Sequence, residues 1–530
     1  MSKAKIGLVL HAHLPFVRHP EYPKFLEENW FFEAVTETYL PLIRMFNRLR
    51  RDEVPFRITL SLSPTLMTML ADNLLKERYV AHLERSIELG MKEVERTKGD
   101  PELNRLAVFY LSFFERTLFE YNDIYRRDLI KVFRDLEAVG SVSIITTAAT
   151  HGFLPLYQEY PEAVQAQIEA ALMTHVTHFR SKPKGFWLPD CGYYPGLEHI
   201  LKRNDLGYFF TASHGVVLAN HKAERGIFAP VKCPNGVHAF ARSYELSQAI
   251  WSEQDGYPAD YAYRDFYRDI GYDLDLEYIR PYIHEPQVRV FTGYKYYAIS
   301  GKKGEKRLYN PEAAAQRVAE HARNFLYTLE RSSKRTTQLV DREPYFVIPF
   351  DAELFGHWWF EGPDWLEQVI RGMASGDELV MCNPGEYLQE YPDNQELQPA
   401  FSSWGNDGYC STWLDGSNDW IYRHIHGCIE RMIELVDRFP NQDSLKKRFL
   451  DHAAREVLLM MGSDWPFIIS NGTSMNYAER RIREHVHNFN IVYDNLCRNT
   501  VDTEWLTRTE KKYTIFPDID YQIFSRHKRS

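Results

Sequence analysis

Two kinds of apolar spacing alternate along most of the chain. Short apolar runs at 6–10, 56–62, 143–149, 185–188, 206–212, 345–350 and 378–382 predict buried strands, with a further one at 289–292. A segment at 239–252, ending in Trp251-Ser252, stands among them. Between the runs the spacing changes to that of helices, first over 27–50 and then almost without interruption over 64–139. The break Lys98-Gly99-Asp100-Pro101 splits the second stretch and predicts a long helical hairpin inserted after the second strand. Its charged faces read as solvated. Beyond about residue 400 the pattern is helical again, over 418–439, 443–461 and 474–497.

The strands share a second property: each delivers polar or aromatic residues at its carboxyl end. The first stops at His11-Ala12-His13, the third at Thr150-His151, the fourth at Asp190 after Trp187-Leu188-Pro189, and 345–350 at Asp351. Strand, functional residue, helix is the grammar of a β/α barrel, whose site forms at the strands' carboxyl ends. About seven strands predict an incomplete barrel. The expected fold is therefore α/β, a (β/α)7 TIM-like barrel with an inserted helical hairpin and a C-terminal all-helical domain. The expected division is 1–63 with 140–400 for the barrel, 64–139 for the insert and 401–530 for the helical domain.

Composition narrows the chemistry. Net charge is −10 with no basic cluster, which argues against nucleic acid. The six cysteines lie far apart without a Cys-x-x-Cys pair, as in a reducing cytosol. No run has the length of a signal or membrane segment, so a cytoplasmic location without membrane is expected. The Asn471-Gly472-Thr473 sequon reads as incidental there. Aromatic residues reach 14%, with 33 Tyr and 11 Trp, a surplus that serves as core or for stacking on sugar rings.

In a strand, residues two apart face the same way, so His11 and His13 point into one space. Two imidazoles there could chelate a metal or hydrogen-bond a carboxylate or sugar hydroxyl. Asp190 could cap the following turn. With Asp351, it could equally form the carboxylate pair of a glycosidase, one attacking the anomeric carbon and the other protonating the leaving oxygen. The acid needs a raised pKa, and Phe350, Phe355, Trp358 and Trp359 could supply the desolvation, though each could be plain core. A metal-dependent deacetylase or amidohydrolase and a sugar-binding protein without catalysis are the rivals.

Taken together, the motifs resemble glycoside hydrolase family 57 in its branching-enzyme group. His11-Ala12-His13-Leu14-Pro15, Ala149-Thr150-His151-Gly152, the run Gly185–Pro189, the run from Phe350 to Trp359, and Ser402-Ser403-Trp404-Gly405 with Trp413-Leu414 match five ordered motifs. Ser463-Asp464-Trp465-Pro466-Phe467 is similar to that group's helical-domain motif. The resemblance implies a retaining mechanism without metal or other cofactor, cutting an α-1,4-glucan such as amylose or glycogen and transferring the piece to a 6-hydroxyl. α-Amylase-like hydrolysis and 4-α-glucan transfer are related alternatives. It implies Asp351 as acid/base and Asp190 at the nucleophile's position. His11, His13, His151, Trp187, His357, Trp358, Trp404, Trp413, Asp464 and Trp465 would bind the glucan or orient the carboxylates. A monomer or small homo-oligomer is expected. Two departures stand out: the family's nucleophile is Glu where this chain has Asp190, and the loop 213–230 lacks the tyrosine usual in branching enzymes.

Overall fold

The computed structural model describes residues 3–251, 256–284, 287–300, 306–405, 407–500 and 502–526. Nine strands form one sheet: β1 (Ala4–Ala12), β2 (Ile58–Leu62), β3 (Val142–Thr147), β4 (Gly185–Trp187), β5 (Tyr208–Thr211), β6 (Val231–Lys232), β7 (His238–Ala241), β8 (Tyr345–Asp351) and β9 (Leu379–Met381). Their order is β6-β7-β5-β4-β3-β2-β1-β8, with β9 also on β1. From β7 round to β8 every pairing is parallel, and only β6 runs antiparallel. The two ends nearly meet: Arg242 bridges Val347, and the Ser243 N–H donates to the Val347 carbonyl at 2.7 Å. Seven parallel strands thus curl into an incomplete TIM-like barrel whose seam is one bridge wide.

Strand periodicity explains what fills it. Val9, Ile145, Trp187, Phe210, Phe240, Tyr345 and Val347 pack together inside, while Leu8 and Leu10 of β1 join the core under the helices. A narrow ring needs small residues opposite large ones, and Gly185 leaves the room that the Tyr208 ring occupies. In phase with Val9 comes His11, and in phase with Tyr345 and Val347 comes Asp351, so the parity that fills the barrel also aims both at its mouth.

The region between β2 and β3 is helical, with Asn73–Arg96 and Pro101–Phe119 forming the expected hairpin, each capped by an aspartate, Asp72 or Asp100. Its charged faces are not all solvated. Glu93 is fully buried, and receives Tyr278 at 2.7 Å, Tyr296 at 2.9 Å and the Arg96 fork. The segment 289–292, expected as a strand, is not one. It is held by side chains instead, with Thr292 and Gly293 donating to Asp269 and Arg289 to the carbonyls of Gly271 and Leu274. The barrel strand in that part of the sequence is β7, followed by the helix Tyr244–Trp251; Ser252 lies outside the described residues. The helices Trp420–Arg438, Ser444–Met460 and Met475–Arg498 pack around a shared apolar core. Residues 401–405 and 407–419, expected with them, form no helix; Ser402 bridges Tyr193 at the barrel, while Asp415 and Asn418 contact Ser470 and the Pro466 carbonyl. Among the described residues no helix is long and apolar enough to cross a membrane.

The helix after β1 is interrupted by a π-turn, Val35–Tyr39, between Glu28–Ala34 and Leu40–Arg51. A π-turn inserts a residue and shifts the helical phase, which brings Glu37 and Tyr39 to the loop after β8. That loop presses on it at Gly356, whose φ is +108° and where a methyl group would meet the Glu37 carbonyl. Gly356→Ala should therefore lower the unfolding free energy by about 3 kcal/mol, from left-handed strain plus the clash. A thermal or urea melt checks this; an unchanged midpoint would show that the loop yields freely.

Candidate active site

Four strand ends build the site. His11 ends β1 and lies in register with Asp351 of β8 on one side and Ser61 of β2 on the other. Its Nδ1 contacts Ser61 Oγ at 3.0 Å and its Nε2 contacts His151 Nε2 at 2.9 Å. One of these two Nε2 atoms carries a proton and the other accepts it, and both serine hydroxyls can adapt to either choice. His151 closes the line through Nδ1 to Ser463 Oγ at 2.8 Å. Burial keeps both imidazoles neutral, with pKa values held well below the usual range, and the charge of His13 acts in the same direction. His13 stacks on His151 at 4.1 Å and contacts both carboxylate oxygens of Asp464 at 3.1 Å. With His13 Nδ1 facing the Thr65 hydroxyl at 3.5 Å, the ring nitrogens are committed to hydroxyls, a carboxylate and each other. Among the described residues no three His, Cys, Asp or Glu side chains gather in metal-holding geometry.

Asp190 follows β4 in the turn Pro189–Cys191, with φ 55° and ψ 29°. Cys191 (φ 52°) and His151 (φ 54°) share this left-handed conformation, so three strained residues meet at one point. The turn is pinned by the Trp404 N–H donating to the Asp190 carbonyl at 2.7 Å and by Cys191 N–H to Leu188 O at 2.9 Å. The Asp190 Oδ2 is covered and has no hydrogen-bond partner among the described residues; the nearest cation-forming atom is His151 Nδ1 at 3.9 Å. Burial first, then the charges of Asp351 and Asp464, push its pKa well above the carboxylate range.

Asp351 is the second carboxylate. Burial raises its pKa to about 7, opposed by the charges of His13 and Arg242. Arg242, at the barrel seam, lies over the Trp404 ring at 5.1 Å. Two residues on, Glu353 accepts from Tyr39 and from the His13 N–H at 3.3 Å, and burial lifts it to about 8. His357 contacts Glu37 Oε2 at 2.7 Å.

The expected aromatic platforms divide. Trp358 is 52% exposed, with its ring 4.4 Å from Phe266, and Trp404 is half-buried beside the Asp190 turn. Trp187, at 1% exposure, is instead the barrel's top layer, stacked under His11 at 5.0 Å. Trp413, 3% exposed, is stacked on Phe153 at 4.6 Å. Trp465, 2% exposed, donates to the Leu459 carbonyl at 2.9 Å. These three support the walls and offer no face to a sugar, because tryptophan's large apolar surface was taken up by packing. Sequence reasoning passed over Ser61, Ser463, Glu353, Arg242, Tyr39 and Glu37. Glu353 and Ser463 stand inside the quoted motifs and were within reach; Tyr39 and Glu37 carried no signal, since only the π-turn brings them here.

The chain matches two family profiles: Glycosyl hydrolase family 57 over residues 7–398, and the C-terminal region of 1,4-alpha-glucan branching enzyme over residues 424–524. It is 34% identical to a 1,4-alpha-glucan branching enzyme of Thermococcus kodakarensis, covering 94% of this chain and 74% of that protein. Among solved structures it is similar to the alpha-amylase AmyC from Thermotoga maritima, with TM-score 0.93, 43% identity and 99% of each chain covered. It is also similar to a GH57-type branching enzyme from Pyrococcus horikoshii, with TM-score 0.88 and 31% identity, covering 98% of this chain and 97% of that one. The chain belongs to glycosyl hydrolase family 57.

Proposed function

We propose that the protein is a retaining, α-glucan-active transglycosylase of the branching type, with Asp190 as nucleophile and Asp351 as acid/base. The observation that carries this is the pair itself: two carboxylates from the ends of β4 and β8 at one barrel mouth, both raised by burial and Asp190 further by the charge of Asp351, beside a half-buried tryptophan. Two such groups hold one negative charge between them more easily than two. With the proton on Asp351, one of the charges opposing ionisation of Asp190 is gone.

In the first step the Asp190 carboxylate attacks the anomeric carbon while Asp351 gives its proton to the leaving glycosidic oxygen, leaving a glucosyl ester on Asp190. In the second, Asp351 takes the proton of an acceptor's 6-hydroxyl, whose oxygen attacks the anomeric carbon, and the Asp190 ester bond breaks. The product is an α-1,6 branch with both carboxyls restored. Trp404 and Trp358 are the platforms for sugar rings, with His11, His13, His151, His357 and Asp464 orienting hydroxyls and carboxylates. Similarity to branching enzymes and the matched branching-enzyme C-terminal region support transfer over hydrolysis. A second reading, α-amylase-like hydrolysis, is favoured by the 43% identity to AmyC. The absence of a tyrosine from 213–230 points the same way. The proposed division into barrel (1–63, 140–400), helical insert (64–139) and helical domain (401–530), a cytosolic location and a monomer or small homo-oligomer complete the reading.

Incubated with amylose, the protein should raise the content of α-1,6 linkages, seen by debranching and chain-length analysis, with few new reducing ends. Reducing ends without branches would establish the hydrolytic reading instead. The pair acts with one proton, held on Asp351, so the rate should follow a bell in pH and fall on the alkaline side as the pair gives up that last proton. In Asp351→Asn this alkaline limb should vanish and the rate drop by about 10²–10⁴-fold. Asp190 reaches less far than glutamate by one methylene, and misplacement by about 1 Å costs on the order of 100-fold. Asp190→Glu should therefore raise the rate about tenfold or more; a lower rate would show that the turn is already set for aspartate.

A further inference from the structure

A cavity of about 160 Å³ lies between the helix Glu28–Ala34, the hairpin helix Asn73–Arg96 and the segments 281–284 and 290–292. Phe32, His82, Arg85, Tyr282 and Phe291 line it. None of the active-site residues named above belongs to it. On the hairpin helix, His82 and Arg85 are three residues apart and so share a face. The His82 ring lies 5.3 Å from the Phe32 ring. Phe291 touches Phe266 at 5.3 Å, and Phe266 in turn touches Trp358.

Among the described residues the charges around this cavity do not balance. Arg78 is spent, donating to Glu28 at 2.5 and 2.7 Å, to the His19 carbonyl at 3.3 Å and to the Tyr22 carbonyl. Glu28 is committed to Arg78 and to the His19 N–H at 2.9 Å. Tyr282 donates to Glu88 at 2.7 Å, and Glu88 also pairs with Lys92. Lys24 and His284, which complete the titratable lining, each have interactions of their own. Arg85 is different. It is partly covered, no carboxylate or carbonyl among the described residues accepts from it, and burial alone pulls its pKa down. Neither ring nitrogen of His82 hydrogen-bonds to a described residue. Burial, then the Arg85 charge, lowers its pKa to about 3, so at neutral pH it offers one N–H and one acceptor.

A cation drawn partly out of water without a counter-ion is held at a cost that an arriving anion relieves. A guanidinium fork takes two oxygens of one anionic group, and a neighbouring N–H takes a third, which suits a tetrahedral phosphoryl group better than a planar carboxylate. Phe32, Tyr282 and Phe291 leave an aromatic wall for whatever the phosphoryl group is attached to. We propose that this cavity binds a small phosphate monoester, its phosphoryl oxygens on Arg85 and His82 and its organic part against the aromatic wall.

Calorimetric titration of the full chain at fixed ionic strength tests this, with inorganic phosphate, glucose 1-phosphate and glucose as probes. Glucose 1-phosphate should bind saturably at one site, inorganic phosphate more weakly, and glucose not at this site. Arg85→Gln should weaken the phosphate compounds at least about tenfold, while Arg85→Lys keeps part of the affinity. The melting temperature of Arg85→Gln should hold or rise, because an unpaired charge is removed, so loss of binding is not loss of fold. No saturable heat below about 10 mM for either phosphate compound would overturn the proposal, as would equal binding by Arg85→Gln. Equal affinity for phosphate and glucose 1-phosphate would reduce the site to free phosphate and overturn the monoester. Glucose 1-phosphate displaced by maltose and indifferent to Arg85 would place it in the glucan cleft and overturn the site.

Discussion

The site depends on a turn of the helical domain lying flat against the barrel's rim. Gly152 and Gly462 pair across this contact in an antiparallel bridge, and the Ser463 N–H donates to the His151 carbonyl at 3.1 Å. Both positions are tight. A methyl group on Gly152 would come 3.1 Å from the Met461 carbonyl, and one on Gly462 would come 3.1 Å from that of Thr150. With the backbones this close, Ser463 reaches His151 and Asp464 reaches His13. The barrel alone would leave those two imidazoles open to water. The helical domain is therefore a wall of the active site, and its second face carries the buried core of the three long helices.

Closing that wall sets the electrostatics. The acidic groups at the strand ends gain little compensation from cations: His11 and His151 are neutral, and Arg242 and His13 act on Asp351. Burial consequently outweighs pairing, and Asp190, Asp351 and Glu353 all hold protons more tightly than in water. Proton exchange near neutral pH requires such a shift, since an ordinary carboxylic acid would be ionised there. The strained turn at Asp190 belongs to the same arrangement. It fixes a short side chain by its backbone, through the Trp404 contact, where few side-chain hydrogen bonds would do so.

Much of this was legible from periodicity. Val9 with His11, and Val347 with Asp351, share parity, so any fold that buries the apolar member turns the polar one into the barrel mouth. The hairpin break at Gly99 and Pro101 and the three long C-terminal helices emerge from spacing in the same way. The segment 289–292 misled because its apolar residues serve side-chain packing against other irregular chain, which has no period to read. The tryptophans misled differently. Composition announces that Trp187, Trp413 and Trp465 are large and apolar, but which face of each ring stays open depends on neighbours distant in sequence.

The sequence by itself determined the barrel, the polar residues that end its strands and the family, because strand parity and ordered motifs are local properties. Only the tertiary structure decided which groups share the pocket. The Ser61–His11–His151–Ser463 line joins residues from three parts of the chain. Tyr39 reaches Glu353 through a π-turn, and packing covers one carboxylate oxygen of Asp190, which has no hydrogen-bond partner among the described residues. These are consequences of desolvation and close packing between distant segments, and no spacing along a single strand or helix encodes them.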